Sequence, residues 1–380
     1  MIASNSILSN INSDISCPSI RIMLAGGGTG GHIFPAIAIA NAIRQRVPTA
    51  DILFVGAKGK MEMVKVPEAG YNVIGLDIAG YSRGSLIKNF KLPFKLLKSF
   101  IQVRRILKSF NPSLIVGVGG YSSFPVLRLA QAKNIPTFIH ESNSYPGKSN
   151  IILSKKAKKV FVAFEGMSQF FPSEKIIITG NPVRKIFSTY NVIRKEAVEY
   201  FGLRPDKKTV LVVGGSLGAR SINQAIDKNL DFFRGNDLQL IWQTGNHFAS
   251  TAARDAEESI NVWCNEFIDK IEYAYVAADI VVSRAGAMAV AELAIVGKPV
   301  IFIPYPYASE DHQTSNALAL VNKKAALIIR DEEVSVKLIS AIKSLINDDA
   351  LCLELKNNIL KFSNTTADEV IAAEVLKYIK

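Results

Sequence analysis

Short apolar runs, rich in β-branched residues and closed by Gly, Pro or Asn, recur along the chain at residues 20–25, 52–56, 114–118, 136–140, 160–162 and 176–179. Helix-like segments separate most of them. Unalternating runs of this kind mark parallel strands covered on both faces, in βαβ units. The pattern then restarts, with runs at 209–213, 238–242, 280–282 and 300–303. In each half the first run leads into a glycine cluster and a helix. The first cluster is Gly26-Gly27-Gly28-Thr29-Gly30-Gly31, ahead of a helix expected over residues 35–46, where Pro35 suits the first turn. The second is Gly214-Gly215-Ser216-Leu217-Gly218-Ala219, ahead of a helix over 220–228. The pattern predicts an α/β chain of two Rossmann-like, doubly wound domains facing each other across a cleft at the carboxyl ends of their strands. Asn181-Pro182 interrupts it near residues 180–184, where the hinge is placed.

A length of 380 residues suits two domains, and 48% hydrophobic with 21% charged residues is ordinary for a globular chain. Cys17, Cys264 and Cys352 are far apart, which excludes a disulfide scaffold or a zinc site of familiar spacing and fits a reducing compartment. Residues 1–19 are Ser/Asn-rich, without the charge and apolar core of a signal peptide, and read as a mobile leader. No run reaches the ~18 apolar residues of a spanning helix.

Charge changes the picture more. The net +12 divides into +16 over residues 1–190 and −4 over the rest, and no acid lies between Asp77 and Glu141. Within that acid-free stretch Leu86, Ile87, Lys88, Phe90, Lys91, Leu92, Phe94 and Lys95 interleave apolar and basic side chains. A helix-like run follows over 96–110, with Leu97, Phe100, Ile101, Arg104 and Leu107 on the side read as packed against the sheet. Basic residues contribute about 1 kcal/mol each near an anionic leaflet, and inserted apolar side chains add to it. A nucleic-acid groove carries the same charge sign but more stacking aromatics flanked by arginine, so the patch points to a membrane surface and not to nucleic acid.

Gly26, Gly28 and Gly31 match a dinucleotide fingerprint, yet Ala57-Lys58-Gly59-Lys60, and no acid, follows the second strand. What remains is a backbone open to close approach and a helix start that favours an anion. His32, directly behind the glycines, is a candidate general base. Ala287, Met288, Ala289, Val290 and Ala291 open a helix behind Ser283-Arg284-Ala285-Gly286, with Glu292 its only acid in apolar surroundings, which argues for burial and a partner. His140-Glu141-Ser142-Asn143 and residues 311–316 are polar clusters at strand ends, read alone as caps as readily as sites; no further ligand in phase supports a metal.

Gly27-Gly28-Thr29-Gly30-Gly31-His32-Ile33-Phe34-Pro35 resembles the N-terminal signature of the MurG family, bacterial transferases that add N-acetylglucosamine to undecaprenyl-pyrophosphoryl-muramoylpentapeptide. Further matches follow in order: Gly119-Gly120-Tyr121, His140-Glu141-x-Asn143, Gly180-Asn181-Pro182-Val183-Arg184, Gly214-Gly215-Ser216-x-Gly218-Ala219-Arg220, Glu266-Phe267-Ile268, Ser283-Arg284-x-Gly286-Ala287, Glu292 and Asp311-His312-Gln313-Thr314-x-Asn316-Ala317. The resemblance implies a GT-B fold: an acceptor and membrane domain over 20–183, a UDP-sugar domain over 184–361, and a final helix around 362–380 crossing back to the first. It implies an inverting transfer from UDP-N-acetylglucosamine to the muramic 4-hydroxyl of lipid I, giving lipid II, with no cofactor and no metal. Glu292 would hold the ribose, and the backbone of Ile268 the uracil. Ser216, Arg184 and the helix start at Ala287–Ala291 would meet the diphosphate. Asn143, Gln313 and the loop Thr29, Gly30, Gly31 would touch the transferred sugar, with His32 as base and Tyr121, His140 and Glu141 on the acceptor side. The anionic cytoplasmic membrane face, where the enzyme would sit peripherally, is a partner by the same reasoning, as are other cell-wall synthesis or division proteins. One departure stands out: the family reads Gln where this chain has Ser142. The rival readings are a GT-B enzyme for another glycolipid acceptor, and a non-catalytic nucleotide-binding protein at the membrane surface, which would need no base.

Overall fold

The computed structural model describes residues 20–79, 92–184, 192–215, 217–256 and 261–379. The leader, Ser216 and the patch residues Leu86, Ile87, Lys88, Phe90 and Lys91 lie outside them.

The apolar runs pair as two all-parallel sheets. The first holds β1 (Arg21–Ala25), β2 (Asp51–Ala57), β3 (Asn72–Leu76), β4 (Leu114–Gly117), β5 (Thr137–Glu141), β6 (Lys159–Val162) and β7 (Ile176–Ile178), in the order β3-β2-β1-β4-β5-β6-β7. The second holds β8 (Thr209–Val213), β9 (Gln239–Gln243), β10 (Val262–Asn265), β11 (Ile280–Ser283), β12 (Val300–Phe302) and β13 (Leu327–Ile328), in the order β10-β9-β8-β11-β12-β13. Both orders reverse beside the first strand. The loops after β1 and β4, and after β8 and β11, therefore diverge to opposite faces and leave a crevice at each switch point. Both glycine clusters sit there, because Ala25 pairs with Gly117 and Val213 with Ser283 at the strand ends.

Each sheet is covered on both faces. On one face of the first, Ile39 and Ile43 of helix Gly30–Arg46 pack with Ile371, Ala372 and Val375 of helix Ala367–Leu376. Tyr378 meets Phe138 of β5 edge-on at 5.1 Å, so the end of the chain completes the first core. Helices Leu92–Phe110 and Ser123–Ala132 cover the other face through Val103, Ile106, Leu107, Val126 and Leu127.

The structure departs from the sequence pattern in three places. β3, β10 and β13 lie outside the runs read from the sequence; all three are edge strands with part-exposed positions. The first helix starts at Gly30, not at Pro35, so Gly31 and His32 occupy its opening turn. A proline N cannot donate to the carbonyl four residues back; the hydroxyl of Ser142 lies 3.5 Å from that carbonyl, Gly31 O. Helix Leu92–Phe110 buries Ser99, Val103, Ile106 and Leu107, while Phe94 (70% exposed), Leu97 (62%) and Ile101 (50%) form a stripe facing outward. The face that carries Leu97 and Ile101 is therefore not the packed one.

Candidate active site

Gly26, Gly27 and Gly28 all take positive φ, and side chains at the first two have no room: a Cβ on Gly26 would sit 2.4 Å from Val118 Cγ2, and on Gly27 2.2 Å from Glu62 Oε1. The loop is thus folded onto its neighbours before any ligand arrives. Glu62, which the sequence reading passed over, is 1% exposed; its carboxylate accepts from Gly28 N at 3.0 Å and Ala57 N at 2.8 Å. Thr29 is the exposed N-cap residue of helix Gly30–Arg46 and gives it no side-chain cap, so an incoming polar group meets backbone N–H at Gly30 and Gly31.

His32 is part-buried in that first turn, its Nδ1 3.2 Å from Thr29 Oγ1. Removal from water lowers its pKa from the ordinary value to about 4, and the nearby His312 adds to this; the Gly27 carbonyl and Glu62 oppose it. The imidazole is therefore neutral near pH 7, the form a general base requires. Tyr121 is part-buried over Gly28: a Cβ there would meet its ring at 3.5 Å.

β5 ends in His140, fully buried, and Glu141, 4% exposed. Burial takes His140 down to about 4, the Gly180 carbonyl opposing and His32 adding to the effect. Glu141 spends both oxygens on its own loop, accepting from Asn143 N and Nδ2 (3.0 and 3.2 Å), Gly147 N (3.1 Å) and Asn150 Nδ2 (2.8 Å). Glu141 thereby orients Asn143. Ser142 is buried between Gly31 O and His140 Nδ1, each 3.5 Å from its hydroxyl.

In the second half, Gly286 is the N-cap of helix Ala287–Val296 without a side-chain cap, and no acid lies in the first turn, formed by Ala287, Met288 and Ala289. One turn on, between Val290 and Ala291 before it and Leu293 after it, Glu292 has only 12% of its side chain exposed. Burial raises its pKa to about 7; Arg184, 3.3 Å away, and the Tyr275 hydroxyl hold the rise back. Arg184 also lies over the Phe34 ring at 5.5 Å. The two residues expected on diphosphate and ribose are thus paired with each other in the free protein. Ile268, 2% exposed, donates its N–H to Gln243 Oε1 at 3.3 Å, and Gln243 Nε2 donates to Gly215 O at 2.9 Å, which ties the second glycine loop to the Ile268 backbone. Gln313 Oε1 accepts from Tyr305 N at 2.9 Å. Beside the second glycine loop a hollow of about 870 Å³ is lined by Gly218, Arg220, Arg284, Tyr305 and Asp331 among others; none of the described residues assigned to the donor lines it.

The two halves touch through side-chain amides. Asn316, fully buried, accepts from Ser144 N (2.9 Å) and Ser144 Oγ (3.1 Å) through Oδ1, and donates from Nδ2 to Asn143 Oδ1 (3.2 Å) and Ala285 O (3.3 Å). Asn181 Nδ2 donates to Ser142 O (3.0 Å) and Ala287 O (3.3 Å). These bonds place Asn143 opposite the helix start at Ala287, and His32 within electrostatic reach of His312.

The family models for glycosyltransferase family 28 match this chain twice, the N-terminal domain over residues 22–162 and the C-terminal domain over 209–373. A curated relative in Parabacteroides distasonis, a UDP-N-acetylglucosamine–N-acetylmuramyl-(pentapeptide) pyrophosphoryl-undecaprenol N-acetylglucosamine transferase, is 48% identical over 94% of this chain and 98% of its own length. A protein of the same name in Flavobacterium psychrophilum is 47% identical over 95% of this chain and 98% of its own. The crystal structure of Acinetobacter baumannii MurG superposes with a TM-score of 0.74 at 28% identity, covering 95% of this chain and all of that one. A UDP-GlcNAc 2-epimerase from Neisseria meningitidis, at 15% identity and TM-score 0.67, shares the fold. Two GT-B halves, a glycine loop carrying His32 and relatives matched end to end converge on one statement: this chain belongs to glycosyltransferase family 28 and, within it, to the MurG family.

Proposed function

We infer that the protein transfers N-acetylglucosamine from UDP-N-acetylglucosamine to the muramic 4-hydroxyl of lipid I, with inversion, giving lipid II. The observation that carries this reading is His32, held neutral in the opening turn of helix Gly30–Arg46, whose Phe34 ring lies under Arg184, the partner of Glu292 one turn behind the uncapped start of helix Ala287–Val296. A uridine diphosphate seated on that start places its ribose hydroxyls at Glu292 and its uracil at the Ile268 backbone. Arg184, the second glycine loop with Ser216, and the helix dipole take the charge of the departing diphosphate. Asn143, Gln313, Thr29, Gly30 and Gly31 border the space left for the sugar. The acceptor hydroxyl then attacks the anomeric carbon from the face opposite the diphosphate. His32 takes its proton, and the electron pair of the breaking C–O bond leaves with the diphosphate. Tyr121, together with the buried pair His140 and Glu141 that shapes Asn143, lies on the acceptor side. On this reading residues 20–183 with 362–380 form the acceptor and membrane domain, and 184–361 the donor domain.

Attachment to the anionic cytoplasmic membrane face is supported by the outward stripe Phe94, Leu97 and Ile101 beside Lys95, Lys98 and Arg105, next to the unacidic segment that precedes it. Among the described residues no helix is long and apolar enough to cross a membrane. Transfer of labelled N-acetylglucosamine to a lipid I analogue tests the function directly. Wild-type transfer with at least a ~10²-fold loss in His32→Ala is expected. A folded protein that binds the donor but leaves lipid I untouched would move the assignment to another glycolipid acceptor.

A further inference from the structure

We propose that Glu62 is a positioning residue for this transfer, holding His32 with its proton on Nε2 and its lone pair on Nδ1 by way of the single peptide unit between Gly27 and Gly28. The proposal rests on His32 being the base.

Glu62 opens the short helix Glu62–Glu68 and turns back beneath the β1 loop. Two glycines make room for it: a Cβ on Gly27 would lie 2.2 Å from Oε1, and one on Gly56 2.4 Å from Cγ. Both of its oxygens accept backbone N–H, from Ala57 at 2.8 Å and from Gly28 at 3.0 Å. A carboxylate suits both places at once, whereas an amide turns an N–H toward one of these donors.

The peptide between Gly27 and Gly28 is trans, so its N–H and C=O point in opposite directions. With the N–H fixed on Glu62, the Gly27 carbonyl is aimed the other way, toward Gly120, beside the Gly119 position that the His32 ring packs against. Thr29 Oγ1 lies 3.2 Å from Nδ1, so Nε2 is the nitrogen the proposal sets against that carbonyl. Close packing seals this side of the ring: a Cβ on Gly119 would sit 3.0 Å from Nε2, and one on Gly120 2.3 Å from Gly27 O. A carbonyl only accepts, so Nε2 carries the hydrogen. Nδ1 then bears the lone pair, on the side of exposed Thr29.

The relay is carboxylate, peptide, imidazole, with the middle member polarised from behind. It parallels an acid that orients a catalytic histidine directly, where loss of the orienting group puts the ring in the wrong tautomer. In the reaction the acceptor O–H bond breaks as its oxygen bonds the anomeric carbon, and the proton moves to Nδ1. The resulting imidazolium keeps its Nε2 proton on Gly27 O, with the Glu62 carboxylate behind it. The other ionisable groups facing His32 are His312, from helix His312–Val321, and His140, from β5; both disfavour the cation, so Glu62 is the compensating anion.

Nitrogen-15 spectra of histidine-labelled full-length protein near pH 8, with His32 assigned by its loss in His32→Gln, read the tautomer. The Nε2–H form is expected, and the Nδ1–H form would overturn the proposal. This readout needs no acceptor and survives a failure of the lipid I assignment, which transfer by the wild type tests separately. Glu62→Gln is the second arm. The expected result is a fall in kcat of ~10- to 10²-fold with KM for the donor within about twofold, a mixed His32 tautomer, and an acidic limb of the pH–rate profile moved to lower pH. A loss of rate with limb and tautomer both unmoved would make Glu62 a loop brace only. If Glu62→Gln does not fold, Glu62→Asp, which keeps the charge and withdraws it by one methylene, carries the same readouts, and the wild-type tautomer still decides.

Discussion

Glu292→Gln should stabilise the free protein and weaken its hold on the donor. The wild-type carboxyl is buried and its pKa is pushed up to about 7 from the ordinary glutamate value of 4.5, so ionising it in the folded chain is unfavourable. For a group whose folded pKa is raised, stability is full below the unfolded value and falls as pH climbs through the folded one. The window here runs from about pH 4.5 to pH 7. A rise from 4.5 to about 7 corresponds to about 3 kcal/mol lost by pH 8, an upper bound on what the neutral amide recovers. Arg184, with 42% of its side chain exposed, returns to water at little cost when its partner is neutralised. For a domain of this size the gain corresponds to roughly 5–10 °C in Tm at pH 8, shrinking toward nothing at pH 4.5. Donor binding moves the opposite way. A ribose diol gives two hydrogen bonds to a carboxylate, and a charge-assisted bond contributes about 1.5–3 kcal/mol, so Kd for UDP-N-acetylglucosamine at pH 8 should rise ~10- to 10²-fold. In the wild type Kd should worsen about tenfold per unit below pH 7, where the carboxyl must first lose its proton, and Glu292→Gln should be flat over that range. Thermal melts at pH 8 and pH 5, with calorimetric titration of the donor, measure both arms. A Tm at pH 8 that falls, or a donor Kd that does not change, would refute the reasoning.

Two further outcomes follow from the cleft and the outer surface. Asn316→Ala removes four hydrogen bonds at a fully buried position and leaves Ser144 N and Asn143 Oδ1 without that partner, at a cost of about 2–4 kcal/mol. It should enlarge the radius of gyration in solution scattering and lower kcat/KM at least ~10-fold, and an unchanged scattering curve would deny Asn316 the clamping role. Phe94→Ser, Leu97→Ser and Ile101→Ser combined should reduce binding to anionic vesicles at least ~10-fold while leaving Tm and transfer to a short-chain acceptor intact, because the three side chains are exposed and any energy they contribute is realised only on the bilayer. Equal vesicle binding by the triple variant would remove the stripe from the membrane contact.

What the sequence displays about the fold follows burial. Interior strands such as β1, β4, β8 and β11 lie between two helical layers, so apart from end residues such as Arg21, Thr209 and Ser283 their positions are apolar and the run is visible without any alignment. β3 alternates exposed and part-buried positions, β10 is part-exposed throughout and β13 is two residues long; each is an edge strand with one partner and less complete burial than the interior strands. The boundary of the first helix was hidden for a different reason. A proline is read at a helix start because its missing N–H is harmless there, yet Pro35 stands inside helix Gly30–Arg46. The displacement matters to the chemistry, since it moves His32 from a loop into the turn whose geometry aims its ring.

The site was legible where one residue carries its own contrast with its surroundings. Glu292 is the lone acid of an apolar helix, and that contrast alone argues for burial beside a partner; the structure supplies Arg184 and Tyr275. Glu62, between Met61 and Met63 in a stretch of mixed lysines and apolar residues, has its partner Gly28 34 residues away, and the partners of Asn316 at Asn143 and Ser144 lie 173 and 172 residues off. The trace that Glu62 leaves in the sequence is indirect, and it is written in glycine. A dense glycine loop invites a ligand-centred explanation, in which bare backbone approaches a phosphate. Here Gly27 and Gly56 are bare because a glutamate fills the space their side chains would take, and Gly119 because an imidazole does. Part of the glycine signature is therefore the imprint of the protein's own buried side chains. A glycine whose Cβ would strike a buried carboxylate or imidazole identifies the group it accommodates, which is how a residue silent in its own neighbourhood is found from the positions that yield to it.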